Sequence, residues 1–338
     1  MSRLVAVAGS SHSPMLAPDP ETVWAFRAST DMKARYHDRD GGVRATTDIA
    51  AARGDELAAE LSPAVWQSKW ATCQAAIARL GHDLLALDLD LVVVVGDDQG
   101  EVFDLGNNPA IAIYYGDELT VAEPDPDASF QGASRAQLVK ILTALGNDGS
   151  TYKVDADAAH CVISSLVGQG FDVATSNRLP AGRSFGHAFS WVLSRLLDHA
   201  TVPTIPILVN TYFPPNQPTA ARCFDLGTAL RAAIDTLPGD RRVAVVASGG
   251  LSHFVVNEAL DDAVVTAMQT GDTGVLRAIP EEFLQEGSSE IKNWITAIGA
   301  ADGLRCEWLE YVRGYRTLAG TGVGLAFGLW TAHDEEDD

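Results

Sequence analysis

RRVAVVASGGLSHF, residues 241–254, joins a short apolar run to paired glycines and then to a histidine. Buried strands of parallel sheets read this way, because both of their faces are covered. Glycine lets the backbone turn sharply or approach a ligand closely. The stretch therefore predicts a strand that delivers His253 to the mouth of a site. The competing reading is a strand-end histidine that only hydrogen-bonds a neighbouring loop. Just upstream, TIPILVNTYFPPN (204–216) reads as a strand that breaks at Pro214-Pro215 and TAARCFDLGTALRAAIDTL (219–237) as an amphipathic helix. Strand, helix and strand in that order form a unit of the parallel-sheet type, which sets the fold class as α/β.

The rest of the chain extends the pattern. LVAVAG (3–8) is a first strand, and the polar turn after it puts His12 at a strand end. LVVVV (91–95) is the strongest strand and runs directly into Gly96-Asp97-Asp98-Gln99-Gly100-Glu101. Open α/β sheets build their sites at such strand ends. AIAIYY (110–115), FDVAT (171–175) and VGLAFGLW (323–330) read as further strands, and helices are expected at 134–145, 155–168 and 256–279. A further helix starts at Ser62-Pro63, with Ser62 as cap. Its end carries His82, a surface position, while His160 falls mid-helix and reads as structural. The segment from 15 to 60 has weak periodicity and reads as an irregular or partly helical, lid-like excursion. Residues 116–133 read as a loop rich in Pro and Asp. The loop 177–187 opens a helix, so His187 sits near a helix start, where the dipole disfavours imidazolium. Glu290 falls in the first turn of a helix capped by Ser288 or Ser289; macrodipole complementarity explains it as well as function does. There is no internal repeat and no clean linker, so residues 1–338 are read as one domain with an insertion at 15–60 and an acidic tail at 331–338.

Composition narrows the function. With 338 residues, 46% of them hydrophobic, the chain can bury a large core. The 24 basic and 45 acidic residues leave a formal charge of −21, which argues against nucleic acid or an anionic membrane as partner. Asp334, Glu335, Glu336, Asp337 and Asp338 read as a solvated end. Cys73, Cys161, Cys223 and Cys306 lie far apart with no C-x-x-C pair, which fits reduced thiols and a cytoplasmic location. LVAVAG is too short for a signal core, and no apolar run approaches the roughly 20 residues that span a bilayer.

His12, the Asp97-Asp98-Gln99 cluster, His187 and His253 all fall at strand ends or helix starts, and Glu290 adds an acid. That inventory suits a mononuclear metal site with nitrogen and carboxylate ligands, plus a separate proton-transfer histidine. The stretches SSHSPML, VNTYFPPN with RCFDLGTALRAAI, ASGGLSHF and SSEIKNWITAIGA resemble, in the same order, the catalytic (LigB-type) class III extradiol ring-cleavage dioxygenases. The resemblance runs from about residue 3 to residue 330. It implies a single-domain α/β sandwich with a central mixed, mostly parallel sheet flanked by helices. It also implies Fe(II) held by two histidines and a carboxylate, O2 as co-substrate, and a small aromatic acid such as protocatechuate, gallate or 3-O-methylgallate. Carried over, His12 and Glu290 would be metal ligands, His253 the acid/base histidine, and His187 a further histidine near the catechol.

One position departs from the family's pattern. Gln99 stands where the second histidine ligand is expected, and a neutral amide oxygen is a weaker ligand than imidazole. Either Gln99 binds through its oxygen, or Asp97, Asp98, Glu101 or His37 substitutes, or the site is degraded. The turn is similar to those of family members resembling 3-O-methylgallate dioxygenases, which favours an active variant. An anionic substrate requires a local cation. Arg183, which shares a loop with His187, is the candidate, with Ser13 beside His12 as a second substrate contact; Lys292 points about 200° around its helix from Glu290. The alternatives to ring cleavage are a metal-dependent hydrolase and a non-catalytic homologue. The resemblance and the apolar surface expected near Trp66 and Trp70 point to a homodimer.

Overall fold

The computed structural model describes residues 1–124 and 135–332. Strand β1 (Arg3–Ser10) opens the chain and leads into the insertion: α1 (Pro20–Asp31), the hairpin β2 (Arg35–His37) and β3 (Val43–Ala45), then α2 (Thr46–Arg53). The insertion is more ordered than its weak periodicity predicts. Helix α3 (Pro63–Ala86) starts as expected, with the Val65 N–H donating to Ser62 Oγ at 3.3 Å and Pro63 in the first position, where its missing N–H costs nothing. There follow β4 (Leu91–Asp97), β5 (Ile111–Tyr114), β6 (Glu118–Thr120), α4 (Arg135–Ala144), β7 (Thr151–Lys153), α5 (Ala156–Gly168) and β8 (Ala174–Ser176). Helix α6 (His187–Ser190) continues as a π-helical turn over Trp191–Leu196. The chain closes with β9 (Thr204–Val209), α7 (Ala220–Asp235), β10 (Arg242–Ser248), α8 (Glu258–Thr270), α9 (Thr273–Arg277), α10 (Ile291–Gly299), β11 (Arg305–Tyr315) and β12 (Gly322–Thr331).

Eight strands form one sheet in the order β11-β12-β1-β10-β4-β9-β5-β8. The central four, β1, β10, β4 and β9, run parallel, whereas β12 pairs antiparallel with β1 and β5 antiparallel with β9. This is the mixed, mostly parallel sheet expected from the resemblance. Successive side chains of a strand point to opposite faces. Val93, Val95, Val245 and Ala247 therefore pack against α5, α7, α8 and α10, while Val92, Val94, Ala244 and Val246 pack against α1, α3 and the π-helical turn. Each fully buried aliphatic side chain contributes roughly 1.5–3 kcal/mol, so both apolar layers are needed to hold the sheet.

Several expectations shift. The strand expected at 171–175 lies at Ala174–Ser176, and Phe171 instead packs into the core beneath α5. Strand β11 carries charges at Arg305, Glu307, Glu310 and Arg313 and is half-exposed, so its apolar alternation is hidden in the sequence. Trp66 is buried, and Trp70 Nε1 donates to the carbonyl oxygens of Leu16 and Ala17 at 3.2 and 3.0 Å. Both rings are spent inside the chain, which removes that support for a homodimer. No helix among the described residues is long and apolar enough to cross a membrane. The acidic end, Asp334–Asp338, and the expected loop from residue 125 to 133 lie outside the described residues.

Candidate metal centre

Parallel pairing brings the C-terminal ends of β1, β4, β9 and β10 to one edge: Ser10 sits opposite Ser248, and Asp97 opposite Val209. His12, Asp97, Tyr212 and His253 follow from those four ends. Glu290, where the chain enters α10, reaches the same edge because Trp294 seats the helix against it. The Trp294 Nε1–H donates to Gly249 O at 2.7 Å, and a Cβ on Gly9 would overlap the indole ring, so β1 needs glycine there.

Ligand atoms of His12, Asp97 and Glu290 all lie within 4.8 Å of one another, and all three side chains are buried. His12 Nδ1 is 2.9 Å from Ser248 Oγ, which orients the ring, and its buried Nε2 has no hydrogen-bond partner. Nε2 is 3.8 Å from Glu290 Oε2, but this is no ion pair, because burial pushes the His12 pKa down to about 3 against the pull of Glu290. Burial also raises Asp97, helped by the charge of Glu290, to about 7. Glu290 is lowered to about 2: burial opposes its charge, but His253, His12 and the Gly250 N–H, donating at 2.6 Å, outweigh it. A neutral imidazole nitrogen lacking a partner, beside two carboxylates that repel each other, is a donor set that fits a divalent cation of the Fe(II) or Zn(II) kind.

Gln99 does not point its oxygen at this group. Its Nε2 donates to Asp97 Oδ2 at 3.0 Å and to Glu290 Oε1 at 3.2 Å, while Asn293 Nδ2 donates to Asp97 Oδ1 at 3.1 Å. Gln99 and Asn293 thus fix the two carboxylates, as outer hydrogen bonds commonly do for metal ligands. The other substitutes considered for the missing histidine have separate partners. Asp98 accepts from the N–H groups of Glu101, Val102 and Phe103, Glu101 pairs with His187, and His37 Nδ1 lies 3.3 Å from Glu286 Oε1.

His253 is held on three sides. Its Nδ1–H donates to Leu251 O at 2.7 Å, so Nε2 is the atom left to face Glu290 Oε1, 3.4 Å away. Its N–H donates to Ser288 Oγ at 2.9 Å, and its carbonyl oxygen accepts from the Ser288 N–H at 2.7 Å. Ser288 therefore braces the histidine instead of capping α10. Burial works against a proton on His253, but the Glu290 carboxylate raises its pKa. His187 departs from expectation: its Nδ1–H donates to Glu101 Oε1 at 3.1 Å, and although burial opposes the charge, this carboxylate raises the pKa to about 9. A half-buried ion pair overrides the helix dipole. The His187 ring meets the His12 ring edge-on, centroids 4.5 Å apart.

One cavity of about 430 Å3 is lined by His12, Ser13, Gln99, His187, His253 and Glu290, within the size range of small-molecule sites. Arg183 is not in it: its guanidinium donates to Gly100 O at 2.7 Å and pairs with Asp104 at 3.0 Å, which anchors the turn after β4. Lys292 is fully buried against Glu281, away from the cavity. Arg27, Arg316, Tyr36 and Tyr212 do line it. None of the four was singled out in the sequence: Tyr212 lies within the VNTYFPPN motif, and only the packing of the insertion and of the β11–β12 turn over the sheet edge brings the other three there. A larger groove of about 1190 Å3, lined by Lys69 and Thr72 of α3, Glu258 of α8 and Glu310, Arg313 and Tyr315 of β11, contains none of the metal-centre residues.

The profile of one protein family, the catalytic LigB subunit of aromatic ring-opening dioxygenase, matches residues 70–326. That span holds Asp97, Gln99, His187, His253 and Glu290 but begins after His12, so it is shorter than the resemblance read from the motifs. A 2,3-dihydroxyphenylpropionate/2,3-dihydroxicinnamic acid 1,2-dioxygenase of Rhodococcus jostii is 36% identical over 108 residues, 32% of this chain and 32% of that protein. A gallate dioxygenase of Pseudomonas putida is 37% identical over 107 residues, 29% of this chain and 30% of that protein. The chain thus spans about a third of the length of the curated relatives it matches.

Proposed function

The chain belongs to the family of catalytic LigB subunits of aromatic ring-opening dioxygenases, and on that premise we propose that it cleaves a catechol-type aromatic acid with O2, using Fe(II) held by His12, Asp97 and Glu290. The observation that carries the reading is the buried, unpartnered His12 Nε2 beside two carboxylates, on the same cavity as His253. The chemistry a bound Fe(II) supplies is Lewis acidity toward the two ring hydroxyls and a redox partner for O2.

The chain's own residues supply the rest. His253 is the proton-transfer group: its Nδ1–H is committed to the Leu251 carbonyl, so protons leave and return at Nε2. The charge that raises its pKa sits on Glu290, the carboxylate a cation would neutralise, which returns the imidazole toward the range useful near neutral pH. His187, held as imidazolium by Glu101, presents a positive edge to a substrate oxygen. Ser13 adds a hydroxyl on the same wall, and Leu142, Leu145, Phe254 and Val323 make the cavity's apolar lining, which orients a ring and excludes water. The free state of all four cysteines supports a cytoplasmic setting.

The test is anaerobic purification with Fe(II), followed by oxygen uptake with a panel of catechols. Stoichiometric uptake with a new ring-cleavage chromophore is the expected result. Ester or amide hydrolysis without oxygen consumption would overturn the reading.

A further inference from the structure

We propose that Arg316 is the carboxylate receptor of this cavity, so that the substrate is selected as an aromatic acid by a guanidinium buried in the cavity wall. The inference rests on the ring-cleavage reading for the identity of the rest of the substrate. Arg316 follows β11, and its side chain is 2% exposed. Its Nε donates to Asp31 Oδ2 at 2.8 Å and its Nη1 lies 2.9 Å from Met15 Sδ, which leaves a buried Nη2 with no hydrogen-bond partner. A buried guanidinium N–H without an acceptor is costly unless something completes it. Arg316 lines the same cavity as His12, His253 and Glu290.

The surroundings suit an anion there. Asp31 is fully buried, accepts from Tyr36 Oη–H at 3.2 Å as well as from Arg316, and so holds the guanidinium in one orientation. Arg27, on the same helix as Asp31, lines the same cavity, and its charge opposes that of Arg316. An arriving carboxylate relieves that repulsion. Carboxylate geometry matches the planar guanidinium fork better than an amide or ester does. The arrangement also answers how a chain of formal charge −21 accepts an anionic substrate: the cation is local and buried.

Two measurements test this. With iron-loaded protein and oxygen uptake, 3,4-dihydroxybenzoate should exceed 3,4-dihydroxybenzamide by roughly 10- to 100-fold in kcat/KM, the range of a charge-assisted hydrogen bond. Combining Arg316→Met with Asp31→Asn, so that no buried carboxylate is stranded, should bring the acid down to the level of the amide. Calorimetric titration of metal-free protein with 4-hydroxybenzoate and 4-hydroxybenzamide reads the same preference without turnover, and the wild-type comparison decides even if the double variant does not fold. Equal binding of acid and amide by the wild type overturns the proposal. Acid-selective binding with no oxygen uptake from any catechol keeps the receptor and sinks the ring-cleavage reading.

Discussion

On the proposed reading, the residue that sets the metal chemistry is Asp97, two positions before the glutamine that stands where a histidine is expected. Asp97 ends β4 pointing at His12 and Glu290, whereas Gln99 turns its amide nitrogen to both carboxylates. Asp97→Ala is therefore expected to weaken Fe(II) binding by more than the ~10- to 100-fold typical of a lost outer partner, and Gln99→Ala to stay within that range, read by equilibrium metal titration. The reverse order of effects would remove Asp97 from the ligand set. His253→Ala should keep the metal and lose turnover by about 10²- to 10⁴-fold; full activity in that variant would end the acid/base role. Gly287 is the quieter determinant. A Cβ there would overlap the His253 ring, so Gly287→Ala should displace the imidazole and cut kcat while leaving metal content intact.

At the scale of elements, the loop after β10 is held as if it were a strand. Leu251 N–H donates to Gly324 O and Gly324 N–H to Ser252 O, so the segment leading to His253 runs along β12. Beneath it, the buried Asp261 of α8 accepts from the Ser252 N–H at 2.9 Å, Ser252 Oγ–H at 2.7 Å and Tyr311 Oη–H at 2.6 Å, which ties α8, β11 and the loop together. Burial raises the Asp261 pKa to about 6, the hydrogen bonds only partly offsetting it. For an acid raised on folding, the native state keeps its proton where the unfolded chain has lost it. Stability from this group is then full below about pH 4, falls as pH rises to about 6, and is level above, by on the order of 3 kcal/mol. Asp261→Asn should flatten that window in urea titrations at pH 4 and pH 7; an unchanged difference between the two pH values would place the pH dependence elsewhere.

For the whole molecule, the site is an edge property of a sheet whose stability comes from the two layers that cover it. Leu80 of α3 is fully buried among the residues of one layer and does not line the cavity. Leu80→Ala should cost about 2–5 kcal/mol by chemical denaturation while metal affinity is retained; a matching loss of metal affinity would mean that the core and the site are coupled. Sequence alone located the strands that start near residues 3, 91, 204 and 242, because apolar runs bounded by glycine and polar turns are local signals, although it extended the third to 216 where the strand ends at Val209. It also determined that His12, His253 and Glu290 belong to one site, through their motifs. What only the tertiary structure decided is which groups meet at that site. That Asp97 and not Gln99 turns an oxygen toward His12 and Glu290, that the half-buried Glu101 raises the pKa of His187, and that Arg316 and not Arg183 lines the cavity all depend on side-chain direction and on contacts between segments far apart in the chain. Periodicity and spacing carry strand position and helix face, but the field and the partners of a buried polar group are set by everything packed around it.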